Sequence, residues 1–155
     1  MRFLGNIGAK IDAKGRVFLP ATFRKVLQAN SESTLILRKD IYQKCLVIYP
    51  ESVWNEMSDS LRAKLDRWNP EHQNLFRQFV ANVEIANLDS NGRLLLSKRF
   101  LNAVNIQQDV SFVGMDNTIE IWGTEELDKS MMDVQDFSDA FEAIMKNKKE
   151  NEESL

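Results

Sequence analysis

The chain has 155 residues, 43% hydrophobic and 28% charged, which is the composition of a soluble globular protein, one domain or two small ones, able to pack a core without staples. No apolar run reaches the roughly 20 residues that span a bilayer, and the start Met1-Arg2-Phe3-Leu4-Gly5-Asn6 lacks the apolar block of a signal peptide, so a cytoplasmic protein with no membrane partner is expected. A lone cysteine, Cys45, cannot form an internal disulfide and a lone histidine, His72, leaves too few soft ligands for zinc; the net charge of −3 argues at first against a nucleic-acid partner.

The first strand is expected around Phe3 and Ile7, leading through Ile11 into an Asp12-Ala13-Lys14-Gly15 turn and a returning strand Val17-Phe18-Leu19. Pro20 suits the first turn of a short helix carrying Phe23, Val26 and Leu27 and ending near Asn30. Thr34 to Leu37 and Cys45 to Tyr49 read as a hairpin with a long connection, and Pro50 closes this unit. In the middle, Trp54, Met57, Leu61, Leu65 and Trp68 recur at helical spacing. Asn69 then caps a second helix with Pro70 at its first position and an apolar face of Leu75, Phe76, Phe79, Val80 and Val83. These apolar stripes, with Trp68, Phe76 and Phe79 read as a core cluster, are also candidate subunit surfaces.

From Glu84 the order starts again: strand to Leu88, a second turn, strand Leu94-Leu95-Leu96, Ser97 as helix cap before Phe100, and a hairpin of Val110 to Val113 with Ile119 to Trp122. Asp89, Gly92, Arg93, Leu96 and Phe100 fall on Asp12, Gly15, Arg16, Leu19 and Phe23 at a constant offset, the mark of a duplicated unit. Thr124 caps a last helical region with stripes of Leu127 and Met131, then Phe137, Phe141 and Ile144. The expected organisation is an N-terminal half 1–52, a helical linker 53–83, a C-terminal half 84–124, a helical region 125–145 and a disordered tail 146–155.

The chemistry concentrates at the repeated turns. Asp accepts backbone N–H groups and Gly takes positive φ, which explains Asp12, Asp89, Gly15 and Gly92 as turn residues. A turn has no need of the arginine after each glycine, Arg16 and Arg93. Around the first turn, residues 1–25 hold Arg2, Lys10, Lys14, Arg16, Arg24 and Lys25 against Asp12 alone, whereas from Glu125 onward ten acids face four lysines. Arginine can bond guanine O6 and N7 in the major groove, with Gly15 keeping the turn slim and Lys10, Lys14, Arg24 and Lys25 on phosphates. Such a patch is modest for one chain, so several chains acting on one DNA are expected.

Three ordered motifs make the sequence resemble the MraZ family: Asp12 to Pro20, Cys45-Leu46-Val47-Ile48-Tyr49-Pro50 with Trp54, and Asp89 to Arg93. Arg77-Gln78-Phe79 with Ala81, and Glu120-Ile121-Trp122, add to the likeness, which covers roughly residues 1–145. The resemblance implies an α+β, mainly β fold: two pseudo-symmetric AbrB-like halves of swapped-hairpin or split-barrel type, with a helical linker and a C-terminal helix. It also implies a nucleoid-associated regulator, usually a repressor, of the division and cell-wall operon, binding direct repeats in its promoter as a ring of identical chains. Carried over residue by residue, the family's turn arginine falls on Arg16 and its duplicate on Arg93. Ser97 in place of proline, Asn91 in place of a basic residue and Leu127 in place of tryptophan rank the N-terminal copy first.

An enzyme would need a nucleophile with its base, a phosphate loop or a metal cluster, and the sequence offers none, so neither catalytic residues nor a cofactor or small-molecule substrate are expected. The competing reading is an oligomeric protein-interaction scaffold, or an antitoxin-like AbrB relative without promoter binding. Salt dependence separates these, because phosphate contacts weaken steeply with salt and an apolar interface does not.

Overall fold

A computed structural model of the chain describes residues 1–153. The first half runs β1 (Phe3–Lys10), β2 (Arg16–Phe18), α1 (Ala21–Ala29), β3 (Leu35–Lys39) and β4 (Leu46–Pro50). After α2 (Glu51–Ala63) and α3 (Pro70–Ala81), the same order returns as β5 (Glu84–Ala86), β6 (Arg93–Leu95), α4 (Lys98–Ala103), β7 (Asp109–Asp116) and β8 (Ile119–Gly123). Helices α5 (Thr124–Ser130) and α6 (Val134–Glu153) close the described chain. The two units open their helices differently. Pro20 precedes α1 without a side-chain cap, whereas Ser97 accepts the N–H of Phe100 at 3.3 Å to start α4.

The large sheet is antiparallel, in the order β1-β7-β8-β4-β3-β5, and a second ladder joins β2 to β6. Exchanging first-half strands for their second-half counterparts reverses that order without changing it, so a pseudo-twofold axis passes between β8 and β4. Each half lends its opening strand to the other: β1 lies on β7 from Phe3 opposite Asp116 to Lys10 opposite Asp109, and β5 lies on β3. This is the α+β architecture of two pseudo-symmetric halves expected from the resemblance, with the opening strands exchanged.

The core belongs to both halves. Val17 and Leu19 meet Leu94 and Leu96 beneath the small ladder, Phe23 stands edge-on to Phe3 at 5.7 Å, and Phe100, Phe112 and Ile121 complete the cluster. Burying each such side chain stabilises the fold by about 1.5–3 kcal/mol. Cys45 is a buried small hydrophobe, its thiol pushed far above the usual range by desolvation and then by Glu120.

Several expectations need correction. The middle stripe does not run to Trp68, because α2 stops at Ala63 and Asp66 accepts the Trp68 N–H at 2.9 Å in the corner before Pro70. Trp68 is therefore 93% exposed; Trp54, stacked on Phe79 at 5.0 Å, and Phe76 make the aromatic contact. Asn69 does cap α3, its Oδ1 accepting N–H groups of Glu71 and His72. Gly123, not Thr124, holds the cap position of α5, and the Thr124 hydroxyl instead bonds Ser111 at 2.9 Å. The segment 146–155 is expected as a disordered tail; the helical backbone of α6 runs as far as Glu153, and residues 154–155 lie outside the described residues.

Candidate nucleic-acid interface

Both turns are built on one plan. Asp12 Oδ1 accepts the N–H groups of Lys14 and Arg16, each at 2.9 Å, while Oδ2 takes Arg16 Nε–H at 2.8 Å. Gly15, at φ +86°, donates its N–H to the Asp12 carbonyl at 3.1 Å. In the second copy Asp89 Oδ1 accepts from Asn91 and Arg93 at 2.9 and 2.8 Å, Oδ2 takes Arg93 Nε–H at 2.8 Å, and Gly92 sits at φ +81°. Donation from the backbone N–H of Arg16 and of Arg93 is the main cause that holds the two carboxyls below the usual aspartate range. The aspartate thus anchors each guanidinium through Nε, and the two terminal Nη groups of each arginine have no hydrogen-bond partner among the described residues.

The β2–β6 ladder brings the turns together. Arg16 stands opposite Leu95, Val17 opposite Leu94 and Phe18 opposite Arg93, and Leu96 N–H to Gly15 O and Leu19 N–H to Gly92 O extend the ribbon at 2.8 and 3.1 Å. Side chains alternate faces along a strand. Val17 and Leu94 point into the core, so Arg16, Phe18, Arg93 and Leu95 share the outer face, with Phe18 54% and Leu95 63% exposed. The Arg93 guanidinium lies 5.9 Å from the centre of the Phe18 ring. Phe18 and Leu95 lie within apolar triplets that read only as strands; the signal that separates them is their position two residues after each arginine.

The remaining cations are placed unevenly. Lys14 is exposed at the tip of the first turn. Arg24 reaches from α1 to the second turn, where a Cβ on Gly92 would collide with its side chain, and its Nε is buried without a partner among the described residues. A Cβ on Gly15 would lie 2.6 Å from the Leu96 carbonyl oxygen, so each glycine keeps open a contact to the other copy. Lys10, at the end of β1, forms a loose exposed pair with Asp109 at 4.0 Å. Lys25 is exposed on α1, and no hydrogen bond or ion pair ties it to either turn. Among the described residues no group of His, Cys, Asp and Glu could hold a metal.

The fold and this site define a class: a duplicated, strand-exchanged α+β protein that presents two preset arginines on a single solvent-facing ribbon. The chain belongs to the MraZ family, whose pattern matches residues 3–78 and again 79–149. It is 61% identical over 145 residues to a transcriptional regulator MraZ of Phocaeicola vulgatus, covering 94% of each chain. A protein of that name from Bacteroides fragilis is 56% identical over 149 residues, 96% of this chain and 94% of the relative. One from Flavobacterium psychrophilum is 31% identical over 150 residues, 96% and 95% of the two chains.

Proposed function

We propose that this chain is a non-enzymatic, sequence-specific DNA-binding regulator of transcription that reads the major groove with the β2–β6 ribbon. The observation that carries this reading is the convergence of Arg16 and Arg93 on one exposed face, each held through Nε so that its terminal nitrogens can fork end-on to guanine O6 and N7. A two-stranded ribbon has the width of that groove, and Phe18 and Leu95 between the arginines suit the methyl of thymine. Lys14, Arg24, Lys10 and Lys25 take phosphates and set the register. The relatives' name, transcriptional regulator, supports the same reading. Its finer form is a nucleoid-associated repressor of the division and cell-wall operon, several identical chains in a ring engaging direct repeats in the promoter.

The test is fluorescence anisotropy with a duplex taken from upstream of the chain's own operon, at two salt concentrations. Wild type should bind, weaken steeply with salt and resist competition by scrambled DNA. Arg16→Ala should lose about 1–3 kcal/mol per guanine contact, and Arg93→Ala less, because Asn91 replaces Lys14 beside it. Equal losses overturn that ranking, and salt-insensitive binding overturns the DNA reading.

A further inference from the structure

We propose that α6 of one copy docks in the groove between α2 and α3 of a second copy, joining chains head to tail. The inference deepens the multi-copy reading above and rests on it.

Helix α6 is amphipathic and, among the described residues, has nothing to bury its face against. Val134, Phe137, Phe141 and Ile144 recur at three- and four-residue spacing, and each is more than half exposed. Every described side chain of α6 except Ala140 is exposed. In chain order α6 follows α5 as α3 follows α2. Helix α3 folds back on its neighbour through the Phe79–Trp54 stack and the Arg62 guanidinium over Phe76. No equivalent packing receives α6 among the described residues.

The groove has the complementary character. It has a volume of about 690 Å³ and is walled by Tyr42, Met57, Leu61, Leu75 and Phe79, with Tyr42 and Leu75 open to solvent. Arg38 lines it too. The residue is only 8% exposed, and its guanidinium sits 4.9 Å from the Phe79 ring centre and donates to the carbonyls of Lys39 and Phe79. Its Nε has no partner, and no carboxylate pairs with it among the described residues. A buried cation left without an anion is costly, so the groove calls for an apolar occupant that carries carboxylates. Helix α6 and its cap supply Asp133, Asp136, Asp139 and Glu142 with no basic residue before Lys146, while among the described residues the groove is lined by Arg38 and by no acidic residue. Pairing of α6 with another α6 would instead set two acidic helices together over a stripe of two heptads, short of the roughly three to four that sustain a coiled coil.

A groove-and-helix contact is heterologous: each copy offers one of each, and repetition closes a ring or extends a filament. This arrangement dictates the experiment. Phe141→Glu disables α6, and Leu75→Glu disables the groove; both positions are more than half exposed, so both variants should fold. By sedimentation velocity at micromolar concentration, wild type should be an assembly and each variant alone should fall to the 17.9 kDa of one chain. An equimolar mixture of the two variants should recover a dimer and nothing larger, since one intact α6 and one intact groove remain. That recovery also demonstrates that both variants are folded. Variants that keep the wild-type mass overturn the interface and leave the multi-copy reading standing. A Leu75→Glu protein that stays assembled while Phe141→Glu falls apart shows α6 pairing with itself and overturns the groove. Wild type sedimenting as a single chain overturns the multi-copy reading itself.

Discussion

Asp12 and Asp89 each do three things at once: they accept two backbone N–H groups, close a turn and hold an arginine. All three need the ionised carboxylate or are strengthened by it, which is why both groups titrate below the ordinary value of 3.8 in the folded chain. A carboxyl whose folded value is lowered stabilises the fold fully above its unfolded value and loses that contribution as pH falls through the folded one. The loss therefore belongs below about pH 4. In thermal melts, the double variant Asp12→Asn with Asp89→Asn should melt well below wild type at pH 5, with the gap narrowing at pH 3 as the wild-type carboxylates protonate. A gap of constant size would show that the turns do not depend on the charges. Legibility in the sequence was highest here, because Asp-x-x-Gly turn chemistry is local and each residue's role follows from its own side chain.

At the scale of the element, the β2–β6 ribbon divides its residues between the core and the solvent-facing side by alternation alone. Leu94 is buried on the core face beside Val17, and Leu95, one residue on, lies on the outer face with both arginines. Leu94→Ala should cost about 2–5 kcal/mol in urea unfolding, and Leu95→Ala within about 0.5 kcal/mol. Similar costs for the two would contradict the assignment of faces. The sequence could not have told them apart, since three consecutive leucines carry no period and strands of three residues are too short to establish one. The same limit explains Trp68, which continues a helical spacing past the point where the corner before Pro70 ends the helix. The caps at Asn69 and Ser97 were legible because they depend on side chains acting one turn away.

For the whole molecule, the repeat made two halves readable but not their exchange of opening strands, since strand pairing across about 50 residues for β5 on β3 and about 100 for β1 on β7 leaves no local pattern. The consequence concerns independence. The eight residues of β1 find their ladder on β7 of the second half, and β5 finds its own on β3 of the first. Separating the chain between residues 78 and 79, where the two family matches meet, removes both partners at once and opens the shared core around Val17 and Leu94. An exposed strand edge without its ladder is a site of aggregation rather than a stable surface. Neither half expressed alone should therefore be a folded monomer. An equimolar mixture should form a one-to-one complex with a single cooperative unfolding transition, read by circular dichroism and sedimentation. A half that folds alone as a monomer would mean that the strand exchange is dispensable. If the mixture recovers the fold, the β2–β6 ribbon re-forms with it, and the DNA binding proposed above should be found in the complex and in neither half, because Arg16 and Arg93 share a face only when both halves are present.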